Sequence, residues 1–255
     1  MRREVEGDGQ RCAPPDANGR RGAKNPMNIQ GYQKMTLLDY PGRVACTVFT
    51  GGCNLRCPFC HNAGLVEAPT AHESAEGDVL DYLAKRKGLL DGVCITGGEP
   101  LLQPDLAEFL KRVRAMGHSV KLDTNGTMPQ RLEALLHEGL VDYVAMDVKS
   151  SPRGYARAVG CEVDLGAIGQ SMELIRESGL EYEFRTTAVK GIHTVGDFSE
   201  IGEWLKPCDP YFIQCFVDSG NLLGSGVSAF DEGEMQAILR TVVPHLPRTQ
   251  LRGMS

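Results

Sequence analysis

No run of eighteen apolar residues occurs anywhere in the chain, so no stretch reads as a membrane-spanning helix. No basic patch stands out either. The 27 Lys and Arg face 33 Asp and Glu, a formal net charge of −6, which argues against nucleic acid as a partner. No repeat at a fixed period is evident. The N-terminal stretch lacks the apolar core of a secretory signal. Without such a signal, nine cysteines point to a reducing compartment, the cytoplasm, rather than to a disulfide framework. No cysteine lies between Cys60 and Cys94, and none follows Cys215. Inserted or C-terminal segments with additional cysteine clusters are therefore not expected.

Residues 1–26 are nearly free of large apolar side chains and cannot bury enough surface to offset the entropy of ordering. They are expected to form a disordered extension, or to reflect a start codon assigned upstream of Met27. Cys12 is then an unligated thiol. The remainder, 27–255, is expected to be one domain with a C-terminal helix; a hydrophobic content of 42% supports a single sizeable core.

From residue 44, short β-rich runs alternate with helical stretches. Strands are expected at 44–50, 92–96, 119–123, 143–148, 182–189 and 211–216, and helices at 74–87, 105–116, 129–138, 166–178, 197–205 and 232–243. Strand–helix alternation implies a parallel sheet. Six units are too few for a closed eight-stranded barrel, so the expected α/β fold is an open (β/α)6 partial barrel. In such architectures the working groups sit at the C-terminal ends of strands.

The densest chemistry lies at the first of these ends, in Gly51-Gly-Cys53-Asn-Leu-Arg-Cys57-Pro-Phe-Cys60-His-Asn62. Three thiolates spaced Cys-x3-Cys-x2-Cys suit three irons of a [4Fe–4S] cluster and leave the fourth open to a substrate. A structural zinc site takes four protein ligands, and His61, directly after Cys60, would make a cramped fourth. A disulfide would leave one cysteine over. The second strand ends in Thr96-Gly97-Gly98-Glu99-Pro100, the third in Asp123-Thr124-Asn125-Gly126 and the fourth in Met146-Asp147-Val148-Lys149. The fifth carries Arg185-Thr186-Thr187 and leads to His193, and the last holds Gln214 and Phe216. Taken alone, strand-end acids also serve as turn and helix caps.

The cysteine spacing, with Gly-Gly-Glu-Pro about forty residues later, resembles the radical S-adenosylmethionine (SAM) enzymes, whose fold is the partial (β/α)6 barrel with an open side. The resemblance implies that Cys53, Cys57 and Cys60 hold the cluster and that its open iron chelates the amino and carboxylate groups of SAM. An electron from the cluster then cleaves the sulfonium, giving methionine and a 5′-deoxyadenosyl radical. It also implies SAM contacts from Gly97, Gly98 and Glu99 near the amino group. Asp123, Thr124 and Asp147 would help bind a monovalent cation, and Lys149 would face the SAM carboxylate. Arg185 would lie at that carboxylate, His193 at the adenosine and Phe59 near the adenine. Gln214 and Phe216 would approach the substrate end.

The segment from Asn28 through Asp39-Tyr40-Pro41-Gly42, with Cys57-Pro-Phe-Cys60-His61-Asn62, is similar to the activases of anaerobic ribonucleoside-triphosphate reductases, a branch of the glycyl-radical activating enzymes. This implies a protein partner whose glycine loses a Cα hydrogen, and a flavodoxin- or ferredoxin-like electron donor. Two alternatives stay open: a radical SAM enzyme acting on a small molecule, as 7-deazaguanine synthases do, and a non-catalytic iron–sulfur or zinc protein.

Overall fold

The computed structural model describes residues 27–66, 75–208 and 210–254. The expectations for residues 1–26, including Cys12, lie outside the described residues. Eight strands form one sheet in chain order: β1 (Ile29–Thr36), β2 (Ala45–Thr50), β3 (Gly92–Gly97), β4 (Ser119–Thr124), β5 (Tyr143–Asp147), β6 (Glu181–Ala188), β7 (Tyr211–Cys215) and β8 (Gln250–Arg252). The helices are α1 (Ala63–Val66), α2 (Glu76–Lys85), α3 (Leu106–Ala115), α4 (Pro129–His137), α5 (Tyr155–Val159), α6 (Leu165–Glu177), α7 (Val195–Trp204) and α8 (Glu232–Val242). Strands β2 to β8 are parallel and β1 is antiparallel to β2. The sheet order ends at β1 and β8 without joining them, so the sheet is open.

The six expected strands are β2 to β7. The two edge strands were not expected, and each has a reason to escape a pattern reading. β1 (IQGYQKMT) contains a glycine and exposed polar residues, and its register with β2 shifts twice. β8 has three residues. Helix α7 starts at Val195, two residues before expectation, because Thr194 and Asp197 cap each other reciprocally.

Alternation along the strands sorts the side chains into two environments. Val93, Ile95, Val120, Leu122, Val144, Met146, Phe184 and Ile213 are fully buried in the main apolar core, which they share with helix residues such as Phe109, Leu132, Ile168 and Phe198. The alternate positions carry Cys94, Lys121, Asp123, Tyr143, Asp147, Glu183 and Arg185 into a polar interior. Cys94 is fully buried, and its Sγ lies 3.8 Å from Lys121 Nζ. Tyr40, Ala45, Tyr143 and Ala145 form a separate small cluster at the other end of the sheet, with the two rings 5.9 Å apart. Thr47 Oγ1 donates to Asp39 Oδ2 at 2.6 Å. The Asp-Tyr-Pro-Gly segment thus plugs the N-terminal end of the parallel strands, away from their C-terminal ends.

The loops after β2 and β3 meet backbone to backbone. Gly98 N–H donates to Thr50 O and Glu99 N–H to Gly52 O, both at 2.8 Å. A Cβ on Gly98 would lie 1.9 Å from Gly52 O, and neither partner is a side chain that can turn away. Gly98→Ala should therefore destabilise the fold by about 2–3 kcal/mol and lower Tm by roughly 5–10 °C. Gly64→Ala, with no atom within 4 Å of its new Cβ, should leave Tm within about 2 °C in the same thermal melt.

Candidate active site

The cysteine loop leaves β2 and is tied down mostly through its backbone. Gly51 N–H donates to Asn28 O at 2.8 Å, Gly52 N–H to Leu65 O at 2.7 Å, Arg56 N–H to Val159 O at 2.8 Å and Cys60 N–H to Cys57 O at 3.0 Å. The Arg56 guanidinium donates to Cys53 O and Leu55 O. Leu55 N–H points at Cys53 Sγ, 3.4 Å away. Burial pushes the Cys53 thiol up to about 11 and the Cys57 thiol up to about 12. Thiols this far from water ionise only where a strong positive charge compensates.

The facing strand ends carry a ladder of buried charge. Arg185 on β6 sits opposite Asp147 on β5 in register and donates Nε–H to Asp147 Oδ1 at 2.8 Å. Its other nitrogens reach Asp123 Oδ2 at 3.3 Å and Glu183 Oε1 at 3.7 Å. Lys149 Nζ lies 3.1 Å from Asp147 Oδ2, and Lys121 pairs with Asp123. Beneath them Arg252 of β8 grips both oxygens of Glu183 at 3.0 and 2.8 Å, and the Tyr143 hydroxyl donates to Glu183 Oε2 at 3.0 Å. Burial pushes the Asp147 carboxyl up, but Arg185 and Lys149 outweigh it and hold the group well below the usual carboxylate range. Asp123 is lowered in the same way, with Arg185 and Lys121 overcoming its burial. Both acids are therefore ionised.

Between cysteine loop and ladder lies a cavity of about 260 Å³. Cys53, Cys57, Cys60, Phe59, Gly97, Gly98, Asp123, Thr124, Asp147, Lys149 and Arg185 all line it, as does Gln214. Three expected site residues do not. Glu99 is 1% exposed, and its carboxylate accepts from Leu101 N–H at 3.0 Å, Thr124 Oγ1 at 2.8 Å and Asn125 N–H at 2.8 Å. It joins the Gly-Gly-Glu-Pro loop to the Asp-Thr-Asn-Gly turn. His193 is 4% exposed; its Nδ1 accepts from Val189 N–H at 3.1 Å and its Nε2–H donates to Lys149 O at 2.9 Å. Its ring lies edge-on to Phe59, so it stands behind two cavity residues. Phe216 does not line the cavity either; its ring rests against His61, with centroids 5.4 Å apart.

Pattern reading missed Lys121, Glu183, Arg252 and Asn125. A signal existed for two of them: Lys121 precedes Asp123, and Glu183 precedes Arg185, by two residues, the spacing that puts both on one strand face. Asn125 belongs to a closed set with Asn54 and Thr127. Its Nδ2–H donates to Asn54 Oδ1 at 2.9 Å, its Oδ1 accepts from Thr127 N–H at 3.0 Å, and Asn54 Nδ2–H donates to Thr127 Oγ1 at 2.7 Å.

An open parallel sheet with three thiols after its first parallel strand, and an ionised cavity beside them, is the plan of a cofactor-dependent α/β enzyme. Residues 47–205 match the radical SAM superfamily, and the chain belongs to it. It is 33% identical over 195 residues, 74% of this chain and 79% of the other, to a Methanocaldococcus jannaschii protein named provisionally as a glycyl-radical enzyme activating enzyme. It is 29% identical over 202 residues to the 7-carboxy-7-deazaguanine synthase of Methanopyrus kandleri, covering 67% of this chain and 75% of that one. The crystal structure of Streptococcus suis SuiB bound to S-adenosylmethionine superposes with a TM-score of 0.64 at 15% identity, over 79% of this chain and 48% of SuiB; this likeness is one of fold.

Members of the superfamily use a [4Fe–4S] cluster and SAM, and the cavity suits both. Three thiols share its wall, and ligation by iron supplies the positive charge that their burial demands. Among the described residues no three His, Cys, Asp or Glu side chains converge on one point as a single metal ion requires; a cubane instead takes one thiolate at each of three irons. The opposite wall offers cations at Lys149 and Arg185, a carboxylate at Asp147 and bare backbone at Gly97 and Gly98. That is a match for a ligand carrying an ammonium and a carboxylate.

Glu99 gives a test of this wiring. All three of its partners are donors, so Glu99→Gln must turn an amide N–H2 against one of them. This should cost about 1–3 kcal/mol and lower Tm. Burial raises the carboxyl from 4.5 to about 7. A carboxyl raised in the fold adds stability that is complete below its unfolded pKa and is lost as pH rises through the folded one. The Tm gap between the native protein and Glu99→Gln should therefore be wider at pH 5.5 than at pH 8. A gap that narrows on acidification would mean that the three donors outweigh burial and hold the carboxyl below its ordinary range.

Proposed function

We propose that the chain activates a glycyl-radical enzyme, an anaerobic ribonucleoside-triphosphate reductase, by moving a glycine Cα hydrogen atom from that partner to the 5′ carbon of SAM. The 33% identity over 195 residues to a protein named for glycyl-radical activation carries the reading. The narrower choice of a reductase rests on the resemblance of the Asp39-Tyr-Pro-Gly and Cys60-His-Asn segments. The electron donor is a flavodoxin- or ferredoxin-like protein, and the setting is the reducing cytoplasm.

When bound, the cluster and SAM supply the 5′-deoxyadenosyl radical; the protein binds, orients and shields. Cys53, Cys57 and Cys60 hold three irons. Lys149 meets the SAM carboxylate, and the backbone at Gly97 and Gly98 meets its amino group. Phe59, with Leu55 and Val66 on the same cavity, supplies an apolar surface for the adenine and keeps out water. Arg185 is held by three carboxylates, so its part is to set the field around the SAM carboxylate. A monovalent cation at Asp123, Thr124 and Asp147 must compete with that guanidinium. Glu99 and His193 act from behind, fixing the loops that carry Thr124 and Lys149. The hydrogen transfer is homolytic, so no acid–base residue is assigned.

The experiment is isotopic. With SAM, a strong reductant and a reductase deuterated at the target glycine Cα, deuterium should appear in 5′-deoxyadenosine as a glycyl-radical doublet grows in the EPR spectrum. Cys57→Ala should abolish both. SAM cleavage without deuterium transfer would overturn the reading and favour a small-molecule substrate, the chemistry of the deazaguanine synthase relative.

SAM affinity tests the cavity roles. Lys149→Ala should raise the SAM Kd about tenfold, or about 1.4 kcal/mol, equally in sodium and potassium. Asp147→Ala should weaken binding by an amount that differs between the two salts. Unchanged affinity in both variants would confine these residues to structural pairing.

A further inference from the structure

Most polar side chains lining the cavity are already committed. Asp123, Asp147, Lys149 and Arg185 pair with one another. Thr96 donates to Asp123 at 3.1 Å, Thr124 to Glu99, and Asn125 to Asn54. His61 and Asn62, exposed beside Cys60, make no side-chain hydrogen bond among the described residues; within the sheet, Thr187 on β6 and Gln214 on β7 differ. They are register partners, both line the cavity, both are half-buried, and neither side chain has a hydrogen-bond partner among the described residues. Nothing in the fold uses them.

Their position is specific. Gln214 is next to the short strand β8, in register with Arg252. Two residues on, Phe216 packs against His61, the neighbour of Cys60. The loop beyond then folds over the cysteine loop, where Gly224 N–H donates to Pro58 O at 2.9 Å. A Cβ on Gly224 would lie 2.6 Å from Pro58 Cβ, so the approach is close. Gln214 thus lines the cavity from the last long strand, next to β6, which carries Arg185.

Two uncharged, unused hydrogen-bonding groups beside a charged wall call for a neutral polar ligand. A glycine has no side chain to recognise, and the groups beside its Cα are the N–H and C=O of the flanking peptide bonds. A primary amide both donates and accepts, so it can pair with a peptide unit as one strand pairs with another. A hydroxyl beside it adds one more bond of either sense. We propose that Gln214, with Thr187 beside it, is a specificity contact that hydrogen-bonds the main chain of the segment presenting the target glycine and holds its Cα toward the cavity. This rests on the activase reading and deepens it by naming the group that recognises the peptide.

The test uses the reconstituted full chain and the anaerobic reductase. SAM Kd is measured by equilibrium titration without reductase, and KM for the reductase by radical yield, in the native protein, Gln214→Ala, Gln214→Glu and Thr187→Val. Thermal melts confirm that each variant folds, and Gln214→Glu keeps the side-chain length should the truncation disturb packing. The expected result is a reductase KM raised about tenfold in both Gln214 variants, as for one lost hydrogen bond, and less in Thr187→Val, with SAM Kd within about twofold of native. The share of SAM cleaved without deuterium transfer should also rise. A raised SAM Kd with an unchanged reductase KM would overturn the proposal and assign Gln214 to the adenosine. No change in either constant would overturn it outright. A native protein that forms no glycyl radical at all would instead sink the activase reading, and that control separates the two failures.

Discussion

A single guanidinium buried among three carboxylates constrains the whole interior of this sheet. Arg185 reaches Asp123 on β4, Asp147 on β5 and Glu183 on its own strand. Buried charges are tolerated only when paired, and removing one partner typically costs about 3–5 kcal/mol. The pairs form only if β4, β5 and β6 stand in the observed register. Apolar alternation fixes which face of a strand points at the helices, because a one-residue slip reverses every side chain. A two-residue slip would preserve that alternation. The ladder from Lys121 through Arg185 to Lys149 is what such a slip would break, so the charges specify the register that the apolar layer leaves open.

The same register places the chemistry. Holding β4, β5 and β6 in register sets Asp147 level with Arg185 and Asp123 level with Glu183 two residues below, with Lys149 just beyond Asp147. The cysteine loop is then fastened to this assembly by neutral contacts. Gly98 and Gly52 meet through their backbones, Glu99 ties the end of β3 to that of β4, and Asn125 bonds Asn54 inside the cysteine loop. A cluster held by Cys53, Cys57 and Cys60 would thereby be positioned relative to Lys149 through short, stiff connections. Preorganisation of this kind is how a protein holds a bound cofactor in one reacting geometry.

Much of this was legible in the sequence, and the parts that were not share a cause. The three-cysteine spacing announces itself because its ligands are contiguous. The strand ends followed from β-rich runs closed by turn residues. By contrast, Glu99 and His193 were expected to face SAM, and both turn away into hydrogen bonds with backbone N–H and C=O groups. Partners of that kind are the same for every residue type and leave no trace in a pattern. Lys121 and Glu183 were overlooked although each lies two residues from an opposite charge on the same strand face, and Arg252 because its partner Glu183 is far off in sequence on another strand. The edge strands β1 and β8 were missed because an edge need not be apolar on both faces.

The cavity between the cysteines and the charge ladder would bind SAM with its amino and carboxylate groups on the open iron. Electron–nuclear double resonance on the reduced, cluster-loaded protein tests it most directly, using SAM labelled with 15N at the amino group and 13C at the carboxylate. The account predicts hyperfine coupling from both labels to the cluster. SAM bound to the protein with neither label coupled would contradict it.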